Sequence, residues 1–139
     1  MSPLSTFLRT GSGFALTTGA AYVLFGAQMI EIESGNPFPV NSAAAIFADS
    51  QLRYLGGIWA GYGAMLWWAS NDIEGRRAPL GLLGSFMVFG GIGRAIGGAL
   101  HGFGSYLLVG ATVIEIVVPG ALWVVMNWRA GGTESKSKH

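Results

Sequence analysis

The sequence predicts an all-α integral membrane protein, a bundle of four transmembrane helices with both termini in the cytoplasm. Of the 139 residues, 51% are hydrophobic and only 11% are charged, whereas a soluble domain carries about 25% charged residues. The mean hydropathy is +0.48. Long runs of the chain have no charge, and polar or Gly/Pro-rich segments separate them. Because a membrane helix needs about 20 mostly apolar residues, these runs are long enough to be spans.

The first two helices are predicted over residues 10–31 and 45–70. Residues 10–30 contain no charged side chain, and the segment 34–39, with its glycine and two prolines, cannot continue a helix. A signal peptide is the alternative interpretation of this first segment, but its apolar run is longer than such peptides usually have. The second helix is long enough to tilt or to protrude from the bilayer.

The other two helices are predicted over residues 78–98 and 104–128. A polar connector, 71–77, precedes the third helix, and Pro79 suits its first turn. A glycine-rich hairpin separates the third helix from the fourth. We expect residues 1–130 to form a single domain and the polar residues 131–139 to be a disordered tail.

The basic residues predict the orientation of the bundle. Cytoplasmic segments are enriched in Lys and Arg, and an even number of spans places the two termini and the loop between helices two and three on one side. Those three segments hold the following basic residues: Arg9; Arg76 and Arg77; Arg129, Lys136 and Lys138. The other two loops carry Glu31, Glu33 and His101. Both termini are therefore predicted to be cytoplasmic; the sequence does not indicate which membrane is spanned.

Several classes of function are disfavoured by composition. The net charge of +1 provides no basic field for nucleic acid. The absence of cysteine excludes disulfides, thiolate metal sites and thiol catalysis. One loop histidine and scattered carboxylates do not have metal-ligand spacing, so no metal site is predicted. No nicotinamide, haem or flavin motif is present, so no cofactor is predicted. The expected partners are the lipid bilayer and a lipophilic small molecule.

Glycines and tryptophans predict how the helices pack and where they end. Gly57-x-x-x-Gly61 and Gly93-x-x-x-Gly97 are pairs of small residues that let membrane helices approach closely. They indicate a tight intramolecular bundle, with a homodimer through the glycine-rich faces as the alternative. The tryptophans near helix ends are interpreted as interfacial anchors, with ligand stacking as the alternative: Trp67, Trp68, Trp123 and Trp128.

Asp49, Arg53, Arg94 and Glu115 are the four candidates for charged residues inside the predicted spans, whereas Glu31 lies at the outer end of the first span. A charge inside a membrane costs about 3 kcal/mol on insertion scales, so each of them needs a partner. Asp49 and Arg53 are spaced i, i+4 and share one helix face. At about 1.5 Å per residue, Arg53, Arg94 and Glu115 fall in the outer-to-middle part of the bilayer, so we expect all four residues to meet.

Two interpretations of this cluster remain open. The first is a buried network of ion pairs that fixes helix register. The second is a polar pocket, open to the non-cytoplasmic side, in which Asp49, Glu115, Arg53 and Arg94 are catalytic. Three polar residues near the outer ends of the helices are the candidates for substrate binding: Gln28, Tyr54 and His101.

The same residues carry a resemblance to a known family. Over residues 10–128 the chain resembles a small family of four-span bacterial and fungal membrane proteins, a domain of unknown function related to the DoxX-like group. The resemblance rests on Asp49-Ser50-Gln51-Leu52-Arg53-Tyr54-Leu55-Gly56-Gly57, on Gly91-Ile92-Gly93-Arg94 and on Glu115. It implies four helices with a polar core, and no settled reaction. Small fungal membrane proteins of similar outline act as cyclases or isomerases, which is an analogy only, because fold does not determine function.

Two functions are therefore carried forward. The first is an enzyme without a cofactor that isomerises, cyclises or opens an epoxide in a lipophilic molecule. In it Asp49 or Glu115 would move the proton, and Arg53 and Arg94 would orient the acids or hold a substrate oxygen. The second is a non-catalytic accessory subunit or ligand binder whose ion pairs are structural. A cation channel is disfavoured because two arginines at mid-depth repel cations.

Overall fold

The computed structural model describes residues 2–37 and 42–136, with side chains to residue 127, and the regular secondary structure of this part of the chain is all helix, joined by short turns. The helices are α1 (Pro3–Phe25), α2 (Gln28–Ser34), α3 (Ala43–Ser70), α4 (Arg77–His101) and α5 (Tyr106–Lys136). The predicted all-α class is confirmed for these residues. The chain divides into two compact units, Met1–Arg76 and Arg77–His139. The single domain stays a prediction.

Helix α1 begins at Pro3, seven residues before the predicted start at 10. The Ser2 hydroxyl accepts the Ser5 N–H at 3.2 Å and so caps the helix. Pro3 follows at the first helical position, where its missing N–H has no cost. A Ser-Pro pair at this point is a helix-start signal that the charge-based prediction overlooked.

The predicted continuous helix 10–31 is wrong, because the chain breaks at Gly26. Gly26 has φ 53° and ψ −123°, a conformation that residues with a side chain rarely adopt. Helix α2 follows after a bend of 118° and ends at Gly35, which has φ 68°. A run without charges does not reveal this break, because α1 and α2 are both apolar enough to belong to one span.

Helices α1 and α3 pack antiparallel through small residues spaced seven apart. The small residues themselves make two of the hydrogen bonds between these helices: Ser12 Oγ donates to the Gly63 carbonyl at 2.7 Å and Ser5 Oγ to the Ser70 carbonyl at 3.1 Å. The small residues are Ser5, Ser12 and Gly19 on α1 and Gly56, Gly63 and Ser70 on α3. A seven-residue spacing returns to the same helix face after about two turns, so these side chains form one close seam.

The two predicted Gly-x-x-x-Gly motifs lie outside the contact between α1 and α3. A Cβ added to Gly57, Gly61, Gly93 or Gly97 would meet nothing within 4 Å in the described part of the chain. A Cβ on Gly56, by contrast, would lie 2.8 Å from the Gly19 carbonyl oxygen. The motifs therefore do not form the helix contact inside either unit, and a homodimer through their faces stays a prediction.

In the second unit, α4 and α5 pack antiparallel with Gly84 opposite Pro119 and Gly91 opposite Ile116. Helix α5 continues to Lys136, past the predicted end at 128. The backbone of residues 131–136 belongs to α5, and the disordered tail over residues 131–139 stays a prediction. Residues 137–139 of that predicted tail lie outside the described residues.

Two helices are long and apolar enough to cross a membrane, α4 and the part of α5 from Tyr106 to Asn127. If the bent pair α1 and α2 is one broken span, the number is three. The described residues therefore contain two to three candidate spans where the sequence predicted four. Helix α3 does not qualify because its charge-free part, residues 54–70, is rich in Gly, Trp and Tyr, which contribute little hydropathy.

Candidate functional site

The four charged residues form two separate ion pairs, one in each unit. In the first unit, Arg53 Nε lies 2.7 Å from Asp49 Oδ2. In the second, Arg94 Nε lies 3.0 Å from Glu115 Oε2 and 3.1 Å from Oε1. Each arginine is therefore within hydrogen-bond distance of an acid, as predicted. The meeting of all four residues in one site stays a prediction.

The Arg53–Asp49 pair joins the end of α1 to the start of α2. Arg53 Nη1 donates to the carbonyls of Val23 and Leu24 at 2.8 and 2.9 Å. Asp49 Oδ1 accepts the N–H of Ala27 at 2.8 Å. The last carbonyls and first N–H groups of a helix have no partner within the helix. One pair on α3 therefore supplies hydrogen bonds on both sides of the break.

The pair also lies directly against Gly26. A Cβ at Gly26 would be 2.1 Å from Asp49 Oδ1 and 2.9 Å from Arg53 Nε. Across the same bend, the Tyr22 hydroxyl donates to Glu33 Oε1 at 2.7 Å. The glycine, the ion pair and the bend are thus one local arrangement, in which the missing side chain of Gly26 lets the charged groups reach the backbone.

This arrangement leaves few hydrogen-bonding groups of Arg53 or Asp49 available to a substrate. Arg53 donates through Nε and Nη2 to Asp49, and through Nη1 to two carbonyls. Every hydrogen bond that the structure gives to the Asp49 carboxylate is one that it accepts. The geometry fits a structural clamp better than a proton donor.

The Arg94–Glu115 pair, unlike the Arg53–Asp49 pair, leaves most N–H donors of its arginine without an acceptor among the described residues. The Arg94 side chain is 46% exposed, whereas that of Glu115 is 16% exposed. Within the described residues, Arg94 makes its hydrogen bond through Nε, and both Nη groups make none. A guanidinium has five N–H donors, so most of its donors remain available on the exposed side of the pair.

One carboxylate oxygen of Glu115 accepts no hydrogen bond among the described residues, and its backbone carbonyl lacks the usual N–H donor four residues later. Its Oε2 atom is buried and accepts no hydrogen bond in the described part, although it lies near Arg94 Nε. Four residues further along α5, Pro119 has no N–H to give to the Glu115 backbone carbonyl. This Glu115-x-x-x-Pro119 spacing is visible in the sequence, and the sequence analysis missed it.

Glycines on α4 make room for the Glu115 side chain. A Cβ at Gly91 would lie 2.7 Å from Ile116 Cγ1 and 3.1 Å from Glu115 Cβ, and one at Gly90 would lie 4.0 Å from Glu115 Oε2. A side chain at Gly91 would push α5 away, whereas an added Cβ at Gly90 would make only an ordinary van der Waals contact with the carboxylate. The pair is therefore positioned by close helix contact and does not depend on a flexible loop.

The predicted substrate-binding residues are divided between the two units, and their meeting in one site stays a prediction. Gln28 is the exposed first residue of α2, and Tyr54 is 65% exposed on α3. His101 is the exposed last residue of α4, on the same helix as Arg94. Among the described residues, none of the three donates to or accepts from Arg94 or Glu115. No group of three metal-ligating residues is found in that part of the chain either.

The tryptophans at the end of α3 lie under basic side chains. The Arg9 guanidinium is 5.3 Å from the ring centre of Trp67, and that of Arg76 is 4.2 Å from Trp68. Such pairs of a cation and an aromatic ring suit a membrane–water interface. Trp123 is 61% exposed, and the side chain of Trp128 lies outside the described residues.

Comparison with known proteins gives a family without an assigned activity. The family model described as Domain of unknown function (DUF4345) matches residues 4–126, a range that contains both ion pairs. No curated protein and no solved structure matches the chain. The predicted family of unknown function is thus confirmed, and its relation to the DoxX-like group stays a prediction.

Proposed function

We propose that this chain, which belongs to the family described as Domain of unknown function (DUF4345), is an integral membrane protein that binds a lipophilic small molecule at Arg94 and Glu115 and changes it by acid–base chemistry. The observation that carries the proposal is the contrast between the two ion pairs. Arg53 and Asp49 hydrogen-bond to the backbone on both sides of the Gly26 break, whereas among the described residues the Nη groups of Arg94 make no hydrogen bond and the Glu115 carboxylate is bonded to Arg94 alone.

A multi-pass membrane location is supported by the apolar side chains that each long helix exposes. Phe14 on α1, Ile58 on α3, Phe89 on α4 and Leu107 on α5 are between 52% and 70% exposed. Water would make such surfaces unfavourable, whereas lipid tails are as apolar as the side chains. We therefore propose that α3 crosses the membrane beside α1 and that the chain has four spans. The break at Gly26 would then lie near one surface of the membrane.

Both termini are proposed to be cytoplasmic, on the positive-inside rule. The chain has no native cysteine, so labelling of a single introduced cysteine shows on which side of the membrane that position lies. We expect Asn36→Cys to react with an impermeant maleimide added outside intact cells, and Glu74→Cys to react only after permeabilisation. Both positions are exposed, and Glu74 is preferred to Gly75, where a side chain would meet Asp72. The opposite labelling pattern would reverse the topology.

The proposed acid–base chemistry uses no side chain other than those of Arg94 and Glu115. The Arg94 Nη donors would hold an oxygen of the substrate and stabilise negative charge that develops there. The Glu115 carboxylate would take a proton from the substrate and return it at a second position. Isomerisation and cyclisation conserve the atoms of the substrate, so a base that takes a proton at one position and returns it at another is sufficient. Epoxide opening would add water.

The test uses the lipid extract of the host membranes as the substrate pool. Purified protein is incubated with the extract in detergent, and the products are compared by liquid chromatography and mass spectrometry. We expect a component that changes retention time at constant mass, or gains the mass of water. Because Glu115→Gln removes the carboxylate that takes the proton, it is expected to slow this change by about 100-fold or more.

The control for this experiment is Gly81→Ala on the same helix, where an added Cβ meets nothing within 4 Å, and it should convert the component at the wild-type rate. Conversion at the wild-type rate by Glu115→Gln would refute the acid–base role. The alternative, a non-catalytic ligand binder or accessory subunit, is favoured by one observation: with Asp49 committed to the Gly26 break, Glu115 is the one acid among the described side chains of the second unit. A binder would retain a component without converting it.

A further inference from the structure

We infer that Arg76 binds the phosphate of an anionic phospholipid at the membrane surface where α3 ends. The inference goes beyond the proposed ligand site, because Arg76 lies in the first unit, although it rests on the proposed crossing of α3. Arg76 lies six residues after the end of α3 and folds back over that end. Its guanidinium lies 4.2 Å from the ring centre of Trp68, and its Nη1 donates to the Trp68 carbonyl. These two contacts fix the position of the guanidinium on the helix end.

The N–H donors that Arg76 leaves unused are the ones that match an oxyanion. Among the described residues it makes one hydrogen bond, through Nη1, so the N–H groups of Nε and Nη2 remain. These two N–H groups point the same way along one edge of the guanidinium, and such a fork takes two oxygens of a phosphate or carboxylate. Neither nitrogen is buried. An oxyanion can therefore bind through both without displacing the bond to the Trp68 carbonyl.

The charge of Arg76 is not paired with a neighbouring acid. Within the described residues it forms no ion pair. Two acids share its turn, but the Asp72 carboxylate accepts the Gly75 N–H at 3.0 Å, and Glu74 is exposed. A positive charge that keeps two parallel donors and has no carboxylate partner favours a ligand that carries negative charge.

The tryptophans at this helix end indicate that the ligand is a lipid. Trp67 and Trp68 are adjacent and each is 47% exposed, and tryptophans of membrane proteins are enriched at the level of the lipid head groups. The Arg9 guanidinium lies 5.3 Å from the ring centre of Trp67, so a second positive charge lies at the same helix end. Basic residues at the membrane surface attract anionic lipids. A zwitterionic lipid brings a compensating ammonium group with its phosphate, so it suits two arginines less well.

The experiment measures the lipid that the purified protein retains in native mass spectra. The protein in detergent is mixed with equal amounts of phosphatidylglycerol and phosphatidylcholine of identical acyl chains, which differ in mass. We expect wild type to retain phosphatidylglycerol in preference. Arg76→Gln should lower the retained ratio of phosphatidylglycerol to phosphatidylcholine by about tenfold, since hydrogen bonds to a charged group are worth about that factor. Both lipids are measured in one sample, so a general loss of folding does not imitate a change in their ratio.

Arg77→Gln is the matched control, because it removes the same charge from the next residue. The Arg77 guanidinium donates to the Met126 carbonyl on α5, away from the tryptophan rings of α3, so the lipid ratio should stay near that of wild type. Arg76→Lys keeps the charge but loses the fork of parallel donors. Its lipid ratio should therefore fall close to that of Arg76→Gln.

Other results overturn stated parts of the inference. Equal reductions by Arg76→Gln and Arg77→Gln would indicate attraction by net charge alone and would refute a site at Arg76. A wild-type ratio in Arg76→Lys would refute the bidentate contact. No preference in wild type, or an unchanged ratio in Arg76→Gln, would refute the inference as a whole. Displacement of the bound lipid by inorganic phosphate would replace the lipid by a soluble oxyanion.

Failure of this inference is distinguishable from failure of the proposed function. The crossing of α3 is tested by the labelling of Asn36→Cys and Glu74→Cys, and the chemistry at Glu115 by substrate conversion. Loss of the lipid preference with both of those results as expected refutes the lipid site alone.

Discussion

Gly26→Ala is expected to lower the free energy of unfolding by about 3 kcal/mol or more, because it combines backbone strain with a collision. Gly26 has φ 53° and ψ −123°, and its new Cβ would lie 2.1 Å from Asp49 Oδ1. If Asp49 moves to avoid the contact, it loses the Ala27 N–H and Arg53 together. Thermal unfolding in one detergent, followed by circular dichroism, measures the change.

Gly35→Ala is the matched control for this prediction. Gly35 also has a positive φ, 68°, but a Cβ there meets nothing within 4 Å. Its replacement should therefore cost only the conformational preference of glycine, about 1 kcal/mol. Equal losses from the two variants would mean that Asp49 and Arg53 do not hold the break, since the collision would then contribute nothing.

Gly56→Ala and Gly57→Ala, on adjacent residues, are expected to change stability in opposite directions. The Cβ of Gly56→Ala would lie 2.7 Å from Tyr22 Cβ and 2.9 Å from Val23 N. The contacts are mostly backbone, so α1 and α3 must separate, at a cost of about 2–3 kcal/mol. Gly57 faces open space, and alanine there should stabilise α3 by about 0.5–1 kcal/mol through its higher helix propensity.

The measurement is the melting temperature of both variants under identical conditions. A loss for Gly57→Ala that matches or exceeds the loss for Gly56→Ala would place the helix contact on the face that the Gly57-x-x-x-Gly61 motif predicts. It would then contradict the seam of residues spaced seven apart. Destabilisation by Gly57→Ala that depends on protein concentration would instead indicate a homodimer through that face.

The sequence predicts the helical class and the two ion pairs for clear physical reasons. Low charge and long apolar runs require helices, because a backbone in lipid must satisfy its own hydrogen bonds. Asp49 and Arg53 are spaced i, i+4, which brings them to one helix face regardless of tertiary structure. Arg94 and Glu115 were expected to need partners because of the cost of an isolated charge.

The break at Gly26 and the packing seam are harder to predict because they depend on contacts between helices. Nothing local forces α1 to end at Phe25; Arg53 and Asp49, on another helix, supply the hydrogen bonds that make the break stable. The seam uses Ser12 against Gly63, and its seven-residue period is present in the sequence but less conspicuous than a Gly-x-x-x-Gly pair. A charge-free run does not distinguish a turn from a helix, and it therefore predicts one continuous helix across the bend.

The central claim is that one ion pair serves the fold and the other serves a ligand, and neutralising each pair tests it most directly. Arg53→Met with Asp49→Asn leaves the carbonyls of Val23 and Leu24 without their donor, so this double variant should melt well below wild type. Arg94→Met with Glu115→Gln removes both charges together. Replacing a buried ion pair by neutral residues of similar size is often neutral or stabilising, so its melting temperature should equal or exceed that of wild type. A large loss of stability in the Arg94 and Glu115 variant, with little change in the Arg53 and Asp49 variant, would contradict the assignment.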